Sequence, residues 1–99
     1  MTINKLQENG KLTLAIEGKL DTNTAPQLND VLLPAFDEVK QIELDFSQLS
    51  YISSAGLRVL LTGEKTAQSK GASMTLRGVS DEIRDVFKMT GFDDLLTIV

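Results

Sequence analysis

Residues 41–61 read QIELDFSQLSYISSAGLRVLL and pass from a strand pattern to a helix pattern within one short stretch. Every second residue from Ile42 to Phe46 is apolar, which is the period of a half-buried strand. A polar loop follows, and the apolar pair Tyr51-Ile52 anchors the chain before the helix. Apolar residues then recur on one face of a helix that the pattern predicts from Ser54 to Lys70. The stretch therefore predicts a strand, a loop and a helix in direct succession.

The segment before this stretch predicts a hairpin followed by a loop. Residues 2–18 alternate on either side of Asn9-Gly10, which is a strong signal for a tight hairpin turn. We expect Gly18 to close the second strand and Lys19–Asn23 to form a polar loop. Thr24 is suited to cap the helix that follows with its side chain.

Two positions disturb the predicted helices. The first helix is expected over residues 25–38, and Pro34 within it predicts either a kink or an early end with a short turn. Gly63 lies inside the second helix, where glycine costs about 1 kcal/mol relative to alanine. A close approach between helix and sheet is one explanation for Gly63, but we expect a tolerated surface glycine.

The remaining segments complete an alternation of strands and helices. Residues 73–77 alternate as a strand, and Ser80 begins a helix that Gly91 ends. Residues 95–99 form a short apolar end that predicts a last strand. Strands separated by helices are usually parallel with right-handed crossovers. We therefore predict an α/β fold: a small mixed sheet with an N-terminal hairpin, then parallel β-α units, with the helices mainly on one face because polar residues interrupt the strands.

The composition excludes several classes of protein. The chain has 99 residues, which indicates a single domain over residues 1–99. It has no cysteine and no histidine, which excludes disulfide scaffolds, thiolate or imidazole metal sites and Ser-His-Asp triads. The formal net charge of −4 opposes nucleic-acid binding. Glycine-rich phosphate-binding motifs are also missing. We expect no catalytic residues, no metal and no cofactor, and therefore not an enzyme.

The N-terminus indicates where the protein resides. Residues 1–8 alternate and carry charges, unlike the continuous apolar run of a signal peptide. No apolar stretch approaches the roughly 20 residues that span a bilayer. We therefore expect a cytoplasmic protein without direct membrane contact.

Ser54 is the candidate functional residue, with two interpretations. A serine at or beside a helix N-cap accepts a hydrogen bond from a free N–H and stabilises the helix by about 1 kcal/mol. The same exposed hydroxyl is also well placed to carry a phosphoryl group, because the free N–H groups and the positive end of the helix dipole stabilise an anion. The residues alone leave both interpretations open.

A set of short motifs spans essentially the whole chain in order. They are Gly18-Lys19-Leu20-Asp21, Thr24-Ala25-Pro26, Asp45-Phe46-Ser47, Tyr51-Ile52, Ser54, Gly56 with Leu57, Leu76-Arg77-Gly78-Val79 and Val86-Phe87-Lys88-Met89-Thr90-Gly91-Phe92. In these motifs the chain resembles the STAS family, and within it the small bacterial anti-sigma factor antagonists. Ser53 stands where that family usually has aspartate, and Ala55 where it has serine or threonine.

The resemblance implies a switch controlled by phosphorylation. Ser54 is the implied phosphoacceptor, with Ser53 as a rival. The unphosphorylated protein would bind an anti-sigma factor serine kinase that uses ATP or ADP, a sigma factor would be freed, and a PP2C-type phosphatase would reset the switch. The implied partner-binding residues are Asp21, Thr22, Asn23, Thr24, Ser53, Ser54, Ala55, Gly56, Leu57 and Arg58. The alternative is a STAS accessory subunit that regulates a membrane transporter without phosphorylation.

Overall fold

A computed structural model of the protein describes residues 1–99 as a six-stranded sheet with three α-helices. In chain order the elements are β1 (Thr2–Glu8), β2 (Lys11–Leu20), α1 (Ala25–Ala35), β3 (Gln41–Asp45), β4 (Leu49–Ile52), α2 (Ser54–Ser69), β5 (Ser73–Arg77), α3 (Asp81–Thr90) and β6 (Thr97–Ile98). A short 3-10 turn, Phe92–Asp94, connects α3 to β6. The predicted mixed α/β architecture is confirmed.

The sheet combines one hairpin with parallel pairs. Its order is β1-β2-β3-β5-β6, and β4 lies off this path and pairs with β2. Strands β1 and β2 are antiparallel, and every other pair is parallel. Asn9 and Gly10 have φ angles of 51° and 80°, the left-handed values that suit a tight turn between antiparallel strands. The hairpin and the parallel units are therefore as predicted.

The hydrophobic core lies on one face of the sheet. In β2, alternate residues from Leu12 to Ile16 are buried, and the helices bury their apolar residues in the same cluster of 24 side chains. The opposite face is polar. There Glu43 forms ion pairs with Lys11 at 2.8 Å and with Arg77 at 2.6 Å. The helices therefore lie on one face, as the polar interruptions of the strands predicted.

Strand β4 is missing from the sequence-based prediction. Strand β2 does not close at Gly18; it continues through Lys19 to Leu20, which pairs with Ile52 of β4. The predicted loop therefore begins two residues later than expected. Tyr51 does not anchor the chain either, because 49% of its surface is exposed.

A β-bulge explains why the sequence pattern did not predict β4 and the exposure of Tyr51. Gly18 lies opposite Leu49 and the next residue of β2 lies opposite Tyr51, so Ser50 has no partner across the pair. One extra residue reverses the alternation of side chains beyond it. Leu49 and Ile52 are therefore both buried although they are three residues apart, and Tyr51 faces away from the core.

Helix α1 ends earlier than the predicted residue 38. Its last residue is Ala35, directly after Pro34, and a short turn follows. Beyond it, the N–H groups of Phe36 and Asp37 donate to carbonyls three residues back, as in a 3-10 turn, and no longer four residues back. Phe36 and Val39 in this turn are both buried in the core. Of the two outcomes predicted for Pro34, the structure has the early end.

Gly63 is buried in a close contact, which corrects the prediction of a surface glycine. A Cβ at this position would lie 2.8 Å from Leu32 Cδ2 and 3.0 Å from Met74 Sδ. Helix α2 therefore approaches both α1 and β5 at a point where a larger side chain does not fit without movement.

The ends of α3 follow the prediction. The hydroxyl of Ser80 accepts from the N–H of Ile83 at 3.3 Å, and Gly91 ends the helix with a left-handed φ of 79°. None of the three helices combines the length and the apolar composition that spanning a membrane requires.

Candidate functional site

The loop after β2 and the start of α2 meet at one edge of the sheet. Because β2 and β4 run parallel, their carboxyl ends at Leu20 and Ile52 lie side by side. The N–H of Ser53 donates to the carbonyl of Leu20 at 2.9 Å and ties the two segments together. We call the surface formed by residues 21–24 and 53–58 the carboxyl edge. In open α/β sheets, ligands usually bind beyond the carboxyl ends of the strands.

The loop of the carboxyl edge is held by its own polar groups. The carboxylate of Asp21 accepts from the N–H of Asn23 at 2.9 Å and from the N–H of Thr24 at 3.1 Å. The Thr24 hydroxyl donates to the carbonyl of Lys19 at 2.8 Å and accepts from the N–H of Asp21 at 2.9 Å. Asn23 and Thr22 remain exposed at the tip of the loop.

Thr24 does not cap α1 with its side chain, contrary to the prediction. Its φ and ψ of −101° and −18° are close to helical, whereas a capping residue usually has an extended backbone. Its hydroxyl is also engaged with the residues before it. Thr24 therefore closes the loop and leaves the helix uncapped by a side chain.

Asp21 is an anion in this loop. The N–H group of Thr24 is the largest cause that lowers the pKa of the Asp21 carboxyl, and the positive charge of Lys19 contributes in the same direction. The ionised carboxylate is the form that accepts the loop N–H groups. Its charge therefore lies beside the start of α2 at neutral pH.

Ser53 is the N-cap of α2. Its backbone is extended, and its hydroxyl accepts from the N–H of Gly56 at 3.3 Å, while its carbonyl accepts from the N–H of Leu57 at 3.0 Å. The prediction that Ser54 lies at or beside the cap is therefore resolved: it is the residue after the cap.

Ser54 is the first residue of α2 and is exposed. Its hydroxyl has no hydrogen-bond partner in the protein. The first N–H groups of a helix have no acceptor within the helix, and Ser53 satisfies only those of Gly56 and Leu57. The N–H groups of Ser54 and Ala55 therefore remain available to an anion at this helix end.

Two residues of the predicted partner-binding set are buried. Leu57 is 6% exposed in the core, and Gly56 is also buried. A Cβ on Gly56 would lie 2.8 Å from Leu20 Cγ and 2.9 Å from Ile52 Cγ1. Both residues hold α2 against the sheet and thereby position the carboxyl edge.

The other residues of the helix start are accessible. Ala55 is half-buried, and Arg58 is exposed one turn after Ser54. Arg58 takes no part in the ion pairs of the protein, which join Lys11, Lys70 and Arg77 to carboxylates. Its charge is therefore free on the surface of the first turn of α2.

Sequence reasoning named Asp45-Phe46-Ser47 and Gly78 in its motifs but did not predict how they contact each other. The carboxylate of Asp45 accepts from the N–H of Ser47 at 3.0 Å, and this bond is the largest cause that lowers the Asp45 pKa. Gly78 has a φ of 70°, and a Cβ there would lie 2.9 Å from the Cβ of Ser47. The signal that was available is Asp45 two residues before Ser47, the spacing of an Asx turn.

Sequence reasoning placed Lys19 in the docking loop of residues 19–24 but missed the exposed side chain of Tyr51 beside it. Lys19 and Tyr51 lie directly opposite each other on β2 and β4 and face away from the core. The available signal was the pair of apolar residues Leu49 and Ile52, whose spacing of three fits one face of a strand only where a bulge adds a residue.

Comparison with known proteins identifies the family. The family model described as "Mlab, STAS domain" matches residues 4–97. The anti-sigma-B factor antagonist of Staphylococcus aureus is 32% identical over 84 residues, which cover 84% of this chain and 78% of that protein.

Two solved structures have the same fold. The anti-sigma factor antagonist SpoIIAA in its unphosphorylated form has a TM-score of 0.79 at 18% identity, covering 99% of this chain and 87% of that one. A sulfate transporter family protein from Wolinella succinogenes has a TM-score of 0.80 at 24% identity, covering 93% and 75%. At these identities the likeness concerns the fold alone. The match of the family model over residues 4–97 shows that the chain belongs to the STAS domain family.

Proposed function

We propose that the protein is an anti-sigma factor antagonist controlled by phosphorylation of Ser54. Its unphosphorylated form binds an anti-sigma factor that is also a serine kinase and holds ATP or ADP, and this binding frees a sigma factor. The observation that carries the proposal is the exposed, unbonded hydroxyl of Ser54 on the carboxyl edge of a STAS domain. The antagonist names of the relatives support it.

Ser54 is favoured over Ser53 as the phosphoacceptor. The Ser53 hydroxyl is half-buried and bonded to the N–H of Gly56, so its modification would remove a cap that is typically worth about 1 kcal/mol. The Ser54 hydroxyl is exposed and free. A kinase can therefore reach Ser54 without disturbing the helix.

The proposed reaction transfers the γ-phosphoryl group of ATP to the Ser54 oxygen. The bond between the γ-phosphorus and the β,γ-bridging oxygen breaks, ADP leaves, and the hydroxyl proton is lost to the kinase or to water. The phosphate adds about −1.5 to −2 charges at neutral pH. The free N–H groups of Ser54 and Ala55 and the helix dipole stabilise it, so the domain stays folded.

Phosphorylation ends the complex because it adds a dianion to the surface that the docked partner covers. A surface packed against Ser54 would have to desolvate a dianion without the counter-charge to balance it. Asp21 already places one negative charge on the same edge. A PP2C-type phosphatase would then restore the hydroxyl by hydrolysis, with water as the co-substrate and inorganic phosphate as the product.

A transporter-accessory role is the second candidate. The fold similarity to a sulfate transporter family protein favours it, as does Ser53 at a position where the family usually has aspartate. In that role the carboxyl edge would bind a permease or a transporter ATPase, and Ser54 would remain unmodified.

Affinity capture from a lysate of the host with ADP present separates the two functions. The baits are the wild type, Ser54→Ala, Ser54→Asp and the control Ser73→Asp, which adds the same charge at an exposed serine at the amino end of β5. We expect the wild type, Ser54→Ala and Ser73→Asp to capture an ATP-binding serine kinase and Ser54→Asp to capture none.

One further readout completes this test. The captured kinase with ATP should phosphorylate the wild type at Ser54 and leave Ser54→Ala unmodified, as mapped by mass spectrometry. Capture of a permease or transporter ATPase by all four baits, or phosphate on Ser53, would contradict the proposal.

A further inference from the structure

A specific backbone feature turns Tyr51 out of the protein. Ser50 is the extra residue of the β-bulge in β4, and its hydroxyl donates to the carbonyl of Gly18 at 3.0 Å. Gly18 itself has a φ of 97°, which other residues rarely adopt. Without the bulge, Tyr51 would share the core-facing side with Leu49. Bulges commonly redirect a side chain next to a functional site.

Tyr51 is unusual among the aromatic side chains of the protein. Three of the four phenylalanines, Phe36, Phe46 and Phe87, are at most 1% exposed, whereas Tyr51 is 49% exposed. Its strand is paired to β2 and fixed by the bond between Ser50 and Gly18. A tyrosine has few rotatable bonds to order on binding, and an exposed one on a paired strand is typical of the residues that dominate protein interfaces.

Lys19 adds a positive charge next to this ring, near enough to Asp21 to lower the pKa of that carboxyl. It lies directly opposite Tyr51, is exposed and forms no ion pair. The Thr24 hydroxyl donates to the carbonyl of Lys19 and ties its backbone to the loop of the carboxyl edge. The pair therefore offers an aromatic ring with a cation beside it, which complements an apolar pocket bordered by a carboxylate.

The pair is continuous with the carboxyl edge. Tyr51 is three residues from Ser54, at most about 11 Å along an extended chain. Lys19 is two residues from Asp21. A standard protein interface covers about 800 Å² on each partner, which is roughly 30 Å across. A partner centred on Ser54 is therefore wide enough to reach both side chains.

We propose that Tyr51 and Lys19 belong to the docking surface and contact the same partner that binds around Ser54. This inference rests on the proposed function. The partner surface that meets them carries an apolar pocket for the ring and an aspartate or glutamate for the Lys19 ammonium. It extends the interface from the start of α2 onto the uncovered face of the sheet.

Binding of the purified kinase, identified by the capture experiment above, tests the inference. We expect Tyr51→Ser to raise the Kd at least tenfold and Tyr51→Phe to change it less, since the ring is kept. Lys19→Gln should raise the Kd severalfold at low salt and less at high salt. The control is Leu6→Ser: Leu6 is 58% exposed on the same face but pairs with Thr13, about 20 Å from Lys19 along β2, and should leave the Kd unchanged.

Crosslinking distinguishes direct contact from a loss of folding. A benzophenone amino acid at position 51 should crosslink to the kinase under light, and the same group at position 6 should not. Thermal unfolding of Tyr51→Ser should match that of the wild type. The inference is overturned, and the proposed function kept, if Ser54→Asp abolishes binding while Tyr51→Ser binds as the wild type does and position 51 gives no crosslink. If the wild type binds no such kinase, both are overturned.

Discussion

Ser53 and Ser54 are adjacent serines with different surroundings. Ser53 caps α2 and Ser54 is exposed. We predict that Ser53→Ala lowers the free energy of unfolding by about 1 kcal/mol, whereas Ser53→Asp retains wild-type stability because aspartate caps equally well. Urea unfolding followed by circular dichroism measures both. Ser54→Ala is the matched control and should stay within about 0.5 kcal/mol of the wild type. A larger loss in Ser54→Ala than in Ser53→Ala would make Ser54 the cap instead.

The same pair shows how far sequence reasoning reaches at a single residue. Small hydroxyl residues before an amphipathic helix predicted a helix start correctly. The pattern did not decide which serine caps, because both can accept an N–H bond. In the structure Ser53 caps the helix, and its N–H is bonded to the Leu20 carbonyl at the end of β2, beside strand β4, which sequence reasoning did not predict.

Helix α2 is the element that positions the carboxyl edge, and Gly56 sets its distance from the sheet. A Cβ there would lie 2.8 Å from Leu20 Cγ and 3.0 Å from the Leu20 carbonyl oxygen, which cannot rotate away. We predict that Gly56→Ala lowers the free energy of unfolding by about 1–3 kcal/mol. It should also weaken partner binding, because the helix start is displaced.

Gly63→Ala is the matched control for this prediction. Its new Cβ would meet the ends of two side chains, Leu32 and Met74, and alanine gains about 1 kcal/mol of helix propensity. Its effect on urea unfolding should therefore be smaller than that of Gly56→Ala. Equal effects would show that the contact with the Leu20 carbonyl does not limit the approach of α2.

The strands show where sequence patterns succeed and fail at the scale of elements. The hairpin, β3, β5 and the caps of α3 were predicted because each depends on local period or local caps. Strand β4 was missed because a bulge breaks the period of two between Leu49 and Ile52. Pro34 left two outcomes open, and the burial of Phe36 and Val39 after the early end of α1 is a tertiary effect that local propensity does not contain.

The stability of the whole molecule should depend on pH in two opposite ways. The N–H of Thr24 lowers the pKa of Asp21, and the N–H of Ser47 lowers that of Asp45. The ionised carboxylates of Asp21 and Asp45 stabilise the fold fully above their unfolded pKa of about 3.8. This stabilisation is lost as the pH falls through their folded pKa. Acid therefore weakens the carboxyl edge and the neighbouring turn together.

Glu64 acts in the opposite direction, because it is the one buried charged residue and burial raises its pKa above the usual 4.5. The fold then favours the protonated carboxyl, so stability is highest below the unfolded pKa and falls as the pH rises through the folded one. We predict that Glu64→Gln is more stable than the wild type at pH 7 and equal to it below about pH 4.5. Urea unfolding at a series of pH values measures the difference, with the exposed Glu82→Gln of α3 as the control that should show no such rise. A wild type that is more stable than Glu64→Gln at pH 7 would mean that the ionised Glu64 carboxylate is stabilised inside the fold.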